Sequence, residues 1–185
     1  MKFKSLYIPD VFEISPNIIK DSRGYFFELF RVSEFKKKIG NFSFVQENES
    51  YSKKHTLRGL HLQLSKKQGK LIRVLEGEIF DVGVDLRKKS KFYGKYVTLY
   101  LNSKNKNLLW LPPGFAHGFF VTSKNAKIEY KCTNYYSSSD EIVIDWKDSE
   151  LNIKWPLNKI KDKKIYLSTK DKKCISFNDF TSNYL

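Results

Sequence analysis

Residues 78–86 read Glu-Ile-Phe-Asp-Val-Gly-Val-Asp-Leu, and from Phe80 onward every even position holds an apolar side chain. The odd positions include Asp81, Gly83 and Asp85. Alternation with a period of two places apolar side chains on one face of a β-strand and polar ones on the other. The stretch therefore predicts a half-buried strand.

Extended stretches of the same kind occur on both sides of this strand, with short polar or glycine-containing breaks between them. They are residues 42–52, 56–64, 71–75, 95–101, 108–111, 118–122 and 128–136. One short helix is predicted over residues 33–39, with Ser33 as its cap and Gly40 as its stop. Many short strands with little helix between them predict an all-β sandwich or barrel of the jelly-roll kind.

The length of 185 residues suits one domain, and the sequence contains neither an internal repeat nor an interdomain linker. We expect a single jelly-roll domain over residues 1–173, with an appended tail of unknown role over residues 174–185. Apolar residues make up 41% of the chain, which is enough for a well-packed core.

The charge balance is strongly basic, with 34 Lys and Arg against 20 Asp and Glu and a net charge of +14. Such a balance raises the possibility of nucleic acid as a partner. No recognised nucleic-acid-binding motif accompanies it, and most of the excess is lysine in short scattered runs. We therefore expect solvated surface lysines and no nucleic-acid partner.

We expect no targeting signal. The N-terminus carries charge and proline where a signal peptide needs an apolar segment, and no apolar stretch approaches the roughly 20 residues that cross a bilayer. Cys132 and Cys174 are too few for a disulfide framework. The sequence predicts a cytoplasmic protein with no membrane partner.

Three histidines are present, at positions 55, 61 and 117. Small jelly-roll barrels often bind a metal through two histidines separated by one residue, followed by a glutamate and a distant histidine. Here Gln63 and Gln68 occupy the second and third of those places, and only His61 and His117 remain. Two histidines without a nearby carboxylate or thiolate make a poor metal site, so we expect no metal.

Eight short motifs and the single residue Glu141 follow one another along nearly the whole chain, and each motif combines glycine with charged or aromatic residues or clusters polar ones. They are residues 21–28 (DSRGYFFE), 46–50 (QENES), 57–63 (LRGLHLQ), 68–71 (QGKL), 81–87 (DVGVDLR), 113–119 (PGFAHGF), 130–136 (YKCTNYY), Glu141, and 167–171 (LSTKD).

In this order the motifs resemble the dTDP-4-dehydrorhamnose 3,5-epimerase family, a group of cupin-type jelly rolls, over about residues 5–172. The resemblance implies epimerisation at C3 and C5 of a dTDP-4-keto-6-deoxyhexose, without metal or diffusible cofactor. It also implies a homodimer that exchanges strands, in which residues 23–28 complete the neighbouring subunit's site.

The resemblance assigns four catalytic residues, and their chemistry suits the reaction. His61 matches the base that removes a proton next to the ketone, and Asp171 the carboxylate that orients it. Lys70 matches the cation beside the keto oxygen, where negative charge develops. Tyr130 matches the acid that returns a proton from the opposite face, as an inversion requires.

The same resemblance assigns ten substrate-binding residues, with arginine forks suited to phosphate oxygens. They are Arg23, Phe26, Glu28, Gln46, Asn48, Arg58, His117, Tyr136, Glu141 and Lys170. Tyr136 is expected to share Tyr130's strand face. Arg58 and His61 are three positions apart, so a regular strand would direct their side chains to opposite faces. Either Gly59 permits a bulge or Arg58 reaches the ligand around the rim.

Three other functions stay open. A relative could invert one carbon only, C3 or C5, or could act on a GDP- or CDP-linked hexose or heptose with the same residues. A non-catalytic sugar-binding cupin is the alternative from another class, although the intact set of base, orienting carboxylate, cation and acid argues against it.

Overall fold

The structure is a computed structural model and describes residues 1–160 and 164–184. Two α-helices, α1 (Val32–Lys38) and α2 (Phe177–Tyr184), and one 3-10 turn at Leu157–Lys159 accompany eleven strands. The strands are β1 (Lys2–Ser5), β2 (Phe12–Ser15), β3 (Ile19–Asp21), β4 (Gly24–Phe26), β5 (Gln46–Lys53), β6 (Leu57–Gln63), β7 (Lys70–Asp85), β8 (Tyr96–Asn102), β9 (Leu108–Leu111), β10 (Phe115–Cys132) and β11 (Glu141–Val143).

Two long antiparallel strands, β7 and β10, form the centre of the molecule and run through both of its walls. The first half of β7 pairs with β9, and the second half of β10 pairs with β5. We call this side, which β2 and β1 extend, the β5 wall. The second half of β7 pairs with β8, and the first half of β10 pairs with β6. This side, which β11 extends, is the β6 wall. The predicted all-β jelly roll is confirmed.

Apolar side chains form three layers around these walls. One cluster, including Ile72 and Leu109, fills the interior between the walls. A second, including Phe35 and Trp110, lies outside the β5 wall under α1. The ring centroids of Phe35 and Trp110 are 5.0 Å apart in an edge-to-face arrangement. A third covers the outside of the β6 wall and includes Phe180 of α2, which is almost fully buried. Burying one such large apolar side chain contributes roughly 1.5–3 kcal/mol.

The strand over residues 78–86 differs from its predicted form in two ways. It continues without a break from Lys70, because Gly77, at φ +76°, accommodates an irregularity in the pairing. It is also buried on both faces: Asp81 and Asp85 are 0% exposed. The prediction of a half-buried strand is wrong, since these carboxylates are paired inside the protein with His117 and Arg87.

Helix α1 begins one residue earlier than predicted. Arg31 occupies the N-cap position without a capping side-chain bond, so the prediction of Ser33 as the cap is wrong. Gly40 follows the helix at φ +142°, a conformation that glycine accepts readily.

The C-terminal residues pack onto the barrel. Ile175 forms a bridge with Ile144, and the Tyr93 hydroxyl contacts Thr181 of α2 at 2.6 Å. Leu185, the end of the predicted 174–185 tail, lies outside the described residues. In the described part of the chain, no helix has the length and apolarity needed to span a membrane.

Candidate active site

A pocket of about 320 Å³ opens between the two walls. The β6 wall contributes His61, and the β5 wall contributes Tyr130, so these two side chains face one cavity from opposite sides. The lining residues are Gln46, Asn48, Ser50, Arg58, His61, Gln68, Lys70, His117, Gly118, Phe119, Tyr130, Tyr136 and Glu141.

The His61 ring is held between two carboxylates. Its Nε2 lies 2.9 Å from Asp171 Oδ1, and its Nδ1 lies 2.8 Å from Glu141 Oε1. Glu141 lines the pocket, whereas Asp171 does not and is 2% exposed. Asp171 therefore contacts the ring from behind, and Nδ1 is the nitrogen on the pocket side.

Asp171 is a buried carboxylate with several donors. Burial opposes its ionisation, but hydrogen bonds from His61, from the hydroxyl of Ser168 and from the backbone N–H of Gly59 outweigh that effect. The result is a pKa of Asp171 well below its ordinary range. An ionised Asp171 accepts the hydrogen bond of the Nε2 proton, so Nδ1 is the nitrogen that can accept a proton once its contact with Glu141 is broken.

This lowered pKa predicts a pH dependence of stability. A carboxyl whose pKa is lower in the folded than in the unfolded state stabilises the protein at pH values above the unfolded-state pKa, which is near 3.9. This contribution to stability is lost as the pH falls through the folded-state pKa. Between pH 7 and pH 3 the wild type should lose about 1 kcal/mol of unfolding free energy beyond the loss in Asp171→Asn, which cannot titrate. Urea titrations at both pH values measure this, and equal losses in the two proteins would contradict it.

Gly59 explains how Arg58 and His61 reach the same pocket. The pairing of β6 with β10 shifts register between His117 and Phe119, and Gly59 lies opposite this shift at φ +119°. Of the two alternatives, an irregularity at Gly59 is therefore the one that the structure contains.

Gly59→Ala should destabilise the protein strongly, because a Cβ there would lie 2.5 Å from Gly118 Cα and 2.7 Å from the His117 carbonyl oxygen. We expect a loss of about 3 kcal/mol and a fall in Tm of about 6–10 °C in thermal unfolding. Gly24→Ala is the matched control, since Gly24 has φ +135° with no atom within 4 Å of the added Cβ. Equal Tm values for the two variants would refute the steric argument.

His117 is paired with Asp81, a residue that the sequence interpretation missed. The His117 Nε2 lies 2.9 and 3.0 Å from the two Asp81 oxygens, and both side chains are buried. The sequence signal for this residue is an aspartate within an apolar strand, but the alternation of the strand predicts that it faces solvent. Ser50, Gln68 and Phe119 also line the pocket without having been predicted.

Lys70 and Tyr130 are both affected by burial. Burial lowers the pKa of Lys70, against the opposing influence of Cys132 and Asp81. Burial also raises the pKa of Tyr130, so its phenol carries its proton at neutral pH. The pocket thus holds a protonated phenol on the wall that faces His61.

The mouth of the pocket is polar. Lys170 forms an ion pair with Glu141 and donates to the Tyr136 hydroxyl at 2.8 Å, and that hydroxyl donates to Glu141 Oε2 at 3.0 Å. The Gln46 side chain accepts from the Tyr136 N–H and donates to Asn48. Tyr136 lies beyond the end of β10, so the prediction that it shares a strand with Tyr130 is wrong, although both line the pocket.

Three predicted site residues lie elsewhere. Arg23 and Phe26 belong to the separate β3–β4 hairpin, where Phe26 is 70% exposed and Arg23 pairs with Asp21 at 2.7 Å. Glu28 follows the hairpin and pairs with Arg31. None of the three lines this chain's own pocket.

Comparison with known proteins decides the family. The model of the dTDP-4-dehydrorhamnose 3,5-epimerase family matches residues 5–179. The chain belongs to this family. Within residues 1–160 and 164–184, no three His, Cys, Asp or Glu side chains cluster as they would around a metal ion.

Related epimerases are similar over most of this chain. A dTDP-4-dehydrorhamnose 3,5-epimerase of Salmonella typhimurium is 47% identical over 89% of this chain and 88% of its own. One from Neisseria gonorrhoeae is 48% identical over 81% of this chain, which spans only 46% of that longer protein.

A solved structure from Legionella pneumophila, a dTDP-6-deoxy-D-glucose-3,5-epimerase in complex with dTDP-4-keto-L-rhamnose, aligns with a TM-score of 0.93 at 40% identity. It covers 100% of this chain and 96% of its own. The predicted family, the cupin-like jelly roll and the epimerase reaction are therefore confirmed.

Proposed function

We propose that the pocket between the two walls binds a dTDP-4-keto-6-deoxyhexose and inverts its C3 and C5 carbons. The observation that carries this proposal is the placement of His61 and Tyr130 on opposite walls of one cavity. A single group could only return a proton to the face from which it removed it, so an inversion needs both.

The proposed step begins at the carbon next to the ketone. His61 Nδ1 removes the proton, and the electron pair of the C–H bond moves into an enolate whose charge lies on the keto oxygen. For this, Nδ1 must first leave its contact with Glu141. The imidazolium that forms is stabilised by Asp171, which contacts Nε2 at 2.9 Å.

The second half of the step takes place on the β5 wall. Lys70 places its ammonium beside the enolate oxygen, where a fixed charge stabilises the transition state. Tyr130 donates its phenolic proton to the opposite face of the same carbon. His61 then loses its extra proton and Tyr130 regains one, both by exchange with water, so the enzyme returns to its starting state.

Substrate choice is tested by turnover against a panel of nucleotide-linked 4-ketosugars. We expect the dTDP-linked 6-deoxyhexose to react with the highest kcat/KM, and GDP- or CDP-linked sugars to react poorly. Binding without turnover of any sugar in the panel would favour the non-catalytic barrel. Turnover with inversion at one carbon only would favour a mono-epimerase.

We also place the enzyme in the cytoplasm as a homodimer whose β3–β4 hairpin completes the partner's pocket. The exposure of Phe26 and Arg23, neither of which lines this chain's own pocket, supports this, because both side chains otherwise face solvent. A free, buried thiol at Cys132 suits a reducing compartment.

Subunit mixing tests the hairpin. His61→Asn and Arg23→Ala subunits should each be nearly inactive alone. After refolding together, the mixed dimer should contain one complete site, formed by the His61 of one subunit and the Arg23 of the other. With random pairing, half of the dimers are mixed, so we expect about a quarter of wild-type activity. If mixed dimers form but show no activity, the proposal that the hairpin of one subunit completes the pocket of the other would be contradicted.

A further inference from the structure

Strand β5 directs four polar side chains toward the pocket side of its wall. They are Gln46, Asn48, Ser50 and Ser52, which alternate along the strand with exposed residues. Gln46 and Asn48 bond to each other, and Ser52 accepts from Arg58 Nε at 3.1 Å. The position between them, Ser50, differs from its neighbours.

The Ser50 hydroxyl oxygen is buried and has no hydrogen-bond partner in the described part of the chain. It is the one buried side-chain oxygen or nitrogen there of which this is true. An unsatisfied buried hydroxyl destabilises a folded protein, and such groups call for an explanation. Ser50 lines the active-site pocket, so the explanation lies in what that pocket binds.

The register of the strand indicates which part of the substrate Ser50 meets. Asn48 pairs with Tyr130, and Ser50 is the next residue on the same face, paired with the buried Ile128. Ser50 is four residues from Gln46, which contacts Tyr136 at the mouth, and four residues span about 13 Å of strand. Ser50 is therefore next to the proton-donating phenol and remote from the mouth.

We propose that Ser50 is a further substrate-contacting residue, whose hydroxyl hydrogen-bonds a ring hydroxyl of the bound hexose. This inference rests on the proposed function, because that function places the hexose between His61 and Tyr130. A serine side chain turns about one bond, so its oxygen can swing from the wall toward the ligand at little entropic cost. The contact makes Ser50 a determinant of affinity for the sugar and not for the nucleotide.

The test compares Ser50→Ala with Ser52→Ala in thermal unfolding and in calorimetric binding of dTDP-glucose and of dTDP alone. Ser50→Ala should leave Tm unchanged or raise it, because no bond is lost in the free protein. It should weaken dTDP-glucose binding about fivefold and leave dTDP binding unchanged. Ser52→Ala should lower Tm by about 3 °C, because it removes a bonded hydroxyl.

Three results would overturn the inference: unchanged binding of dTDP-glucose, an equal weakening for dTDP, or a fall in Tm for Ser50→Ala like that for Ser52→Ala. If wild-type protein inverts the 4-ketosugar while Ser50→Ala behaves like wild type, only the inference on Ser50 fails. If wild-type protein neither turns over the ketosugar nor binds dTDP-glucose, the proposed function fails with it.

Discussion

His61→Asn should lower kcat/KM by about a thousandfold or more and abolish exchange of the ring hydrogens with solvent. A positioned general base contributes roughly 10²–10⁴ to the rate, and asparagine has no nitrogen that can accept a proton at neutral pH. The variant keeps a side chain that can hydrogen-bond Asp171, whose oxygen lies 2.9 Å from the wild-type ring. Steady-state kinetics and proton NMR in heavy water measure both effects.

His55→Asn is the matched control for this variant. His55 has φ 62°, a left-handed conformation that asparagine also adopts, and it is not among the pocket-lining residues. The control should retain wild-type kcat/KM. If His61→Asn exchanged the ring hydrogens at the wild-type rate, another group would be the base.

Tyr130→Phe should separate proton removal from inversion. Without the phenol, His61 can still remove a proton and return one to the same face. We expect deuterium to enter the substrate in heavy water while its configuration is retained, and kcat for inversion to fall by about a hundredfold or more. Loss of exchange together with inversion, at unchanged substrate affinity, would show that Tyr130 takes part in proton removal itself.

Tyr51→Phe controls for the loss of a tyrosine hydroxyl from the same wall. Tyr51 lies on β5 with its side chain 55% exposed, on the face away from the pocket. This variant should invert both carbons at the wild-type rate. A Tyr51→Phe protein with the Tyr130→Phe phenotype would mean that the effect comes from the fold of the wall.

The strand pattern could be predicted because apolar alternation is a local property. Residues 108–111 match β9, and residues 95–101 match β8 to within a residue at each end. The strands β1 to β4 and β11 were missed, because each has only three or four residues and none holds the continuous apolar run that marks the equally short β9. The burial of Asp81 could not be read locally either, since its partner His117 is 36 residues away.

The candidate site came from the resemblance more than from spacing. Asp171 lies 110 residues from His61, and only the folded chain brings them to 2.9 Å. At Gly59, odd and even strand positions do not predict which face a side chain occupies, because one irregular residue turns both Arg58 and His61 toward the same cavity. Ser50 ends the 46–50 motif, but its distinction is the missing hydrogen bond within the described residues, which the sequence does not reveal.

Incubation of the wild-type protein with dTDP-4-keto-6-deoxyglucose in heavy water, followed by NMR of the ring hydrogens, is the most direct measurement. We expect one deuterium at C3 and one at C5 in a product inverted at both carbons. Retention of protium at both carbons, by a folded protein that binds the sugar nucleotide, would contradict it.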